Sequence, residues 1–108
     1  MRRFLGEFEQ LLLLSLLQLG DDAYTVTIRR TIEDQAGRSV SPGAIYTALE
    51  RLERRGFVTS RFGEPTPERG GKRKKFYRIE AAGRAALRDA QDVQRRLSRP
   101  GPKRAQRS

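Results

Sequence analysis

The stretch SPGAIYTALERLERRG, residues 41–56, contains the signals for a complete helix. Ser41 can cap it, and Pro42 occupies the first helical position, where its missing backbone N–H costs nothing. The helix is predicted to continue to Arg55 and to stop at Gly56. The side expected to be buried carries apolar residues at helical spacing, namely Ala44, Ile45, Ala48, Leu49 and Leu52. The opposite side is polar and becomes cationic toward its end, so it suits contact with a partner.

Two further helices are predicted before this one. The first covers residues 4–19, with Gly20 as its stop, and is apolar on several sides, which is typical of a helix packed between neighbours. The second covers residues 24–36, with Gly37 as its C-terminal stop. The inner positions of the second helix are expected to be Val26, Ile28, Ile32 and Ala36.

Two strands and a last helix are predicted after residue 56. The strands cover residues 57–62 and 75–79, and Gly70-Gly71 between them is a hairpin turn signal. The last helix covers residues 81–97. The fold class is therefore mainly α with a small β-hairpin. We expect a winged helix-turn-helix domain over residues 4–80, a C-terminal dimerisation helix over residues 81–98 and a disordered basic tail over residues 99–108.

The composition indicates an anionic partner. The 108 residues include 23 Lys and Arg against 13 Asp and Glu, and the resulting charge of +10 attracts polyanions. Cysteine and histidine are absent, which removes thiol chemistry, the commonest metal ligand and the commonest acid–base catalyst near neutral pH. No enzymatic activity, cofactor or metal is therefore expected. The main apolar run is too short to span a membrane, so we expect a cytoplasmic protein with no membrane partner.

The helix over residues 42–55 is expected to contact double-stranded DNA. In a helix-turn-helix, the second helix of the unit enters the major groove, and helix N-termini favour phosphate oxygens. The hairpin carries cations that can lie along phosphates and release counterions. The predicted DNA-binding residues are Ser41, Gly43, Tyr46, Thr47 and Arg51 on the helix, and Arg69, Lys72, Arg73, Lys74 and Lys75 on the hairpin.

A homodimer is predicted from the apolar residues of the first and last helices. A core of this size is marginal, and helical DNA readers commonly pair to match two half-sites. Two alternatives are that the last helix folds back onto its own domain and that it binds another protein, as in an adaptor. The predicted dimer interface consists of Leu5, Phe8, Leu12, Ala86, Ala90, Val93 and Leu97.

Several segments together resemble the PadR-type transcriptional regulators. They are LGEFE at residues 5–9, LGDDAY at 19–24, SPGAIYTALERL at 41–52, RRGFV at 54–58, and ERGG at 68–71 followed by FYRI at 76–79. The resemblance implies a winged-helix repressor that binds an operator as a homodimer and is often released by a small-molecule effector. It also implies that Ser41, Gly43 and Tyr46 lie at the DNA and that the segment after Ala81 dimerises. Thr25 stands where many relatives have glycine.

One other nucleic-acid function remains open at the level of sequence. The basic hairpin and the basic tail would also suit a non-specific architectural or RNA-associated protein. Such a protein would discriminate little between a promoter fragment and random duplex, whereas a sequence-specific regulator would prefer one site.

Overall fold

The computed structural model describes residues 4–64 and 73–101. Within them the chain forms α1 (Glu7–Leu19), a short 3₁₀ turn (Gly20–Asp22), α2 (Thr25–Ala36), α3 (Pro42–Arg54), β1 (Val58–Phe62), β2 (Lys75–Ile79) and α4 (Ala81–Ser98). The predicted fold class, mainly α with one small hairpin and a C-terminal helix, is confirmed. No helix in the described ranges is both long and apolar enough to cross a bilayer.

The helix ends follow local signals. Glycines Gly37 and Gly56 end α2 and α3 with φ angles of +66° and +79°, a conformation that other residues rarely adopt. The first helix begins at Glu7, later than predicted, because Gly6 is extended and its N–H donates to the Glu9 side chain at 2.8 Å. Tyr24 lies outside α2 as its N-cap residue, with its N–H bonded to the Thr27 hydroxyl at 3.0 Å.

The core is formed where α1, α2 and α3 meet the hairpin. Its largest fully buried side chains are Leu12, Leu13, Ile28, Ile32, Ile45, Leu49 and Leu52, and Leu5, Leu16, Ala23, Val58, Tyr77, Ile79 and Leu87 complete the cluster. The expectation that Val26 and Ala36 point inward was wrong, since the Val26 side chain is 45% exposed and Ala36 is exposed too. Ala44, expected on the buried side of α3, is also exposed. Val26 lies about 200° around the helix from Ile28, so both cannot face the same core.

The prediction that Leu12 lies in the dimer interface was wrong. Its side chain has no exposed surface because it lies inside the core of its own protomer. Leu5 is also a buried member of that core, and Phe8 packs against it while remaining partly buried. Leu12 therefore stabilises the protomer and presents nothing to a second subunit.

The hairpin is antiparallel, with Val58 opposite Ile79 and Phe62 opposite Lys75. A third segment joins its edge: Tyr24 pairs with Phe76, and the Tyr77 N–H donates to the Ala23 carbonyl at 2.9 Å. The hairpin is thus held against the start of α2 as well as the end of α3. Its orientation relative to the helices is set by these hydrogen bonds.

The buried residues of the last helix, Gly83 and Leu87, both lie in its first half. Leu87 is buried, whereas Leu97 near the C-terminal end is 81% exposed. The Glu80 N–H, just before α4, donates to the Phe57 carbonyl at 2.8 Å. The second half of α4 therefore extends from the domain with its apolar residues incompletely covered.

Candidate nucleic-acid interface

The N-terminus of α3 is built as the sequence predicts. Ser41 is the N-cap, its hydroxyl accepts from the Ala44 N–H at 3.1 Å, and Pro42 follows as the first helical residue. Gly43 is exposed, and a methyl group added at its Cα would meet nothing within 4 Å. The helix start is therefore open to a ligand, and nothing in the described fold requires glycine at residue 43.

Tyr46 and Thr47 lie on the exposed face of α3, one turn after Gly43. The Tyr46 side chain is 43% exposed. A hydrogen bond to the Glu50 carboxylate raises the pKa of the Tyr46 hydroxyl, and the negative charge of Glu50 contributes to the same shift. The phenol is therefore neutral at physiological pH and can donate or accept a hydrogen bond.

The hairpin packs directly against this helix. The Ser60 hydroxyl donates to the Glu53 carboxylate at 2.7 Å, which links β1 to α3. Tyr77 on β2 is buried beneath them, and this burial raises its pKa to about 12. Among the described residues, no group hydrogen-bonds the Tyr77 hydroxyl. Tyr77 is thus a core residue, on the same side of β2 as Ile79.

Lys75 joins the two parts of the candidate interface. Its Nζ lies 5.7 Å from the centroid of the Tyr46 ring and 5.8 Å from that of the Phe62 ring. Both distances are within the range of a cation–π contact. The exposed face of α3 therefore lies beside the end of the strand pair nearest the turn. The hairpin is the wing of the winged helix, and we call this shared surface, formed by Tyr46, Phe62 and Lys75, the α3–wing surface.

Lys74 faces a different neighbour. Its Nζ lies 4.6 Å from the centroid of the Tyr24 ring and 3.5 Å from the Tyr24 hydroxyl. The Tyr24 ring in turn packs edge-on against Phe76, at a centroid separation of 5.3 Å. The wing is therefore connected to the start of α2 by aromatic contacts, and Lys74 remains exposed to solvent beside them.

The remaining predicted DNA-binding residues are distributed as follows. Arg73 is exposed at the start of the returning strand segment. Arg51 is also exposed but lines a polar pocket at the far end of α3, with Glu9, Arg54 and Arg55. Arg69, Lys72 and the Gly70-Gly71 turn lie outside the described residues.

Arg55 has a structural connection that the sequence did not indicate. Its Nη1 lies 3.0 Å from Glu9 Oε2, and its guanidinium lies 4.6 Å from the Phe57 ring centroid. The side chain is mostly buried, so this pair ties the end of α3 to the start of α1.

The sequence did not identify Phe62, Tyr24 or Glu50 as neighbours of the predicted DNA-binding residues. Alternation within KFYRI, residues 75–79, placed Tyr77 inward. The pairing of Phe62 with Lys75 depends on the length of the intervening turn and on how the hairpin meets the helices. No signal within either strand alone could have found it.

An apolar groove of about 720 Å³ lies between the N-terminal segment and α4. Four of the predicted interface residues line it: Leu5, Ala86, Ala90 and Val93. Phe4, which is 80% exposed, and Phe57 line it as well. We call this feature the α4 groove. Leu97 lies further along the same helix, outside the groove lining.

The described part of the chain contains no candidate metal site. Across residues 4–64 and 73–101, no three Asp or Glu side chains come together as ligands for an ion.

The chain is similar to known transcriptional regulators. Residues 13–89 match the family model described as the transcriptional regulator PadR-like family. A PadR family transcriptional regulator from Eggerthella lenta is 27% identical, with a TM-score of 0.65 and coverage of 82% of this chain and 74% of that one. A transcriptional regulator from Clostridium thermocellum is also 27% identical, with a TM-score of 0.66 and coverage of 82% and 81%.

One similar structure was solved with nucleic acid. It is Bacillus subtilis PadR in complex with operator DNA, which is 24% identical, with a TM-score of 0.63 and coverage of 89% of this chain and 50% of that one. At this identity the likeness concerns the fold. No curated protein sequence matches the chain.

Proposed function

Because the chain belongs to the PadR-like family of transcriptional regulators, we propose that it is a sequence-specific repressor that binds an operator in double-stranded DNA as a homodimer. The observation that carries the proposal is the 5.7 Å separation between Lys75 Nζ and the Tyr46 ring. A helix in the major groove and a cationic wing on the adjacent phosphates require these two parts on one side of the molecule. The operator complex of the Bacillus subtilis relative supports the same partner.

Within this proposal, the exposed residues divide between two tasks. Tyr46 and Thr47 face outward in the middle of α3 and can reach base edges, while Ser41 and the Gly43 N–H at the helix start can bind a phosphate oxygen. Arg73 and Lys74 are exposed on the wing and are the described cations best placed for phosphates. Arg69 and Lys72 share this proposed role from outside the described residues, and Arg51 is placed at the edge of the contact.

Gly43 provides a test of this arrangement. We expect Gly43→Ala to leave the fold intact or to raise its free energy of unfolding by up to about 1 kcal/mol, because alanine favours a helix. The added methyl group meets nothing in the protein. We expect the same change to weaken DNA binding about tenfold, since it holds the helix backbone away from the duplex. Thermal unfolding and a fluorescence-anisotropy titration with the preferred duplex measure the two effects.

A duplex of random sequence is the control in the anisotropy titration. Because it would hold α3, and with it Tyr46 and Thr47, away from the base edges, Gly43→Ala should reduce binding to the preferred duplex more than binding to the random one. Equal affinity of the wild-type protein for both duplexes would instead support the non-specific architectural alternative. DNA affinity unchanged by Gly43→Ala would remove the start of α3 from the proposed contact.

The proposed dimer uses the α4 groove. Ala90, Val93 and Leu97 lie on one side of α4; among the described residues the first two are only partly covered and Leu97 is 81% exposed. Burying this apolar side against a second subunit removes it from water, which is the main driving force of association.

A groove of about 720 Å³ is also large enough for a small-molecule effector, and we propose it as the place where one would bind.

We expect Val93→Glu to convert the dimer to monomer at micromolar concentration, because it would place a carboxylate in the apolar contact. Gln91→Glu introduces the same charge on another side of α4 and should leave the dimer intact. Light scattering coupled to size-exclusion chromatography distinguishes the two. A wild-type protein that is monomeric in this measurement would favour the alternative that α4 binds a different protein.

A further inference from the structure

Phe62 is an exposed aromatic residue outside the core formed by the described residues. It is the last residue of β1, and its side chain is 61% exposed. Val58 on the same side of the strand is buried in the core, and Ser60 between them is partly buried and bonded to Glu53. Phe62 belongs neither to the core nor to the partly buried side chains that pack against it. The core packing of residues 4–64 and 73–101 therefore gives no reason for an apolar residue at this position.

The position of Phe62 relative to α3 suggests what it contacts. Side chains alternate along a strand, so Phe62 points to the same side as Ser60, which faces α3. The side chain of its cross-strand partner, Lys75, lies between the Phe62 and Tyr46 rings. The phenyl ring is therefore on the α3–wing surface, one side chain away from the exposed face of α3.

The chemistry of DNA limits which group of the duplex the Phe62 ring can contact. Phosphates surround the duplex and attract cations, but a phenyl ring offers them neither charge nor a hydrogen-bond donor. The C5-methyl group of thymine is the apolar feature that the major groove presents, and phenylalanine is among the side chains that contact it. A ring next to Tyr46, on the side of the hairpin that faces α3, lies toward the groove that α3 would occupy.

We propose that Phe62 is a specificity-determining residue that contacts a thymine methyl group at the edge of the segment read by α3. This inference rests on the proposed function, since it requires α3 to lie in the major groove. Phe62 would then add a position of sequence preference beyond those read by Tyr46 and Thr47. Lys75, which contacts both rings, would keep Phe62 beside the helix.

The test removes the methyl group and the ring separately. A preferred duplex is first selected from a random-sequence pool by the wild-type protein. Each thymine of one half-site, together with its symmetry mate, is then replaced by deoxyuridine, which lacks only the C5-methyl group. Binding is measured for wild type, Phe62→Ala and a control, Leu14→Ala, which shortens an exposed apolar side chain on α1.

For wild type and Leu14→Ala, we expect one thymine position where deoxyuridine weakens binding about fourfold per half-site, the discrimination of one buried methyl group. In Phe62→Ala, that position should become insensitive to the methyl group while the others keep their effects. If no thymine in the selected site is sensitive to deoxyuridine, or if the selected site contains no thymine, the proposed role of Phe62 is wrong, although binding would still be sequence-specific. Failure of the wild-type protein to enrich any sequence would overturn the proposed function and this inference with it.

Discussion

Gly83→Ala is expected to lower the free energy of unfolding by about 2 kcal/mol, although alanine is the better helix former by about 1 kcal/mol. A methyl group at Gly83 would lie 2.3 Å from the carbonyl oxygen of Phe57 and 2.9 Å from Cγ1 of Ile79. The carbonyl belongs to the backbone and cannot rotate away as a flexible side chain could. The first turn of α4 must therefore shift away from the segment between α3 and β1.

This shift has a second cost because the same carbonyl holds the start of α4. It accepts the Glu80 N–H at 2.8 Å, and Leu87, one turn after Gly83, is buried in the core. Displacing α4 weakens both contacts at once. The proposed dimer should weaken as well, because the α4 groove lies between this helix and the N-terminal segment.

Thermal or urea unfolding at one fixed protein concentration measures the effect, since association adds to apparent stability. Gly43→Ala is the matched control: it is the same substitution in a helix, at a position where the added methyl group meets nothing within 4 Å. The two variants should change stability in opposite directions. A Gly83→Ala protein as stable as the Gly43→Ala protein would contradict the close approach of α4 to Phe57.

The second large effect is expected from neutralising the wing. Replacing Arg73 and Lys74 with glutamine should weaken binding to every duplex, because these exposed cations are proposed to contact phosphates. Each lost contact should reduce the slope of log K against log salt by about 0.9, which corresponds to about eightfold in affinity between 1 M and 0.1 M salt. Two lost contacts per protomer are four per dimer, so we expect the slope to fall by about 3.6 and affinity at 0.1 M salt to fall by about 4,000-fold.

Arg88→Gln/Arg96→Gln is the control for net charge. It removes the same two charges from exposed positions on α4. A salt titration by fluorescence anisotropy compares the slopes of the two variants on the preferred duplex and on random duplex. Equal slopes would mean that the protein responds only to its overall charge, and the wing would lose its proposed role.

Lys75 lies in a different environment from Arg73 and Lys74. Its ammonium lies near the rings of Tyr46, Phe62 and Tyr77, and the residue is partly buried between strand and helix. The sequence grouped Lys75 with the other cations because only its charge was visible. The packing indicates that it also sets the position of the wing relative to α3.

The sequence by itself was sufficient for the elements and for most of the core. Ser41 and Pro42 mark the start of α3, Gly37 ends α2, and strand alternation placed Tyr77 inside, as the structure has them. These signals act over a few residues, through capping hydrogen bonds, backbone conformation and the period of side chains. The misjudged inner positions, Val26 and Ala36 in α2 and Ala44 in α3, are single residues within helices that were otherwise predicted correctly.

Only the tertiary structure determined which of these elements touch. The contact of Lys75 with Tyr46 joins residues on a strand and a helix, and the approach of Gly83 to Phe57 joins a helix to a distant backbone carbonyl. Leu12 became a core residue for the same reason, because α1 is covered by its own domain on the side first assigned to a partner. Such contacts depend on how the helices and the hairpin pack in three dimensions. A local pattern of residue types does not give the distance between residues on different elements.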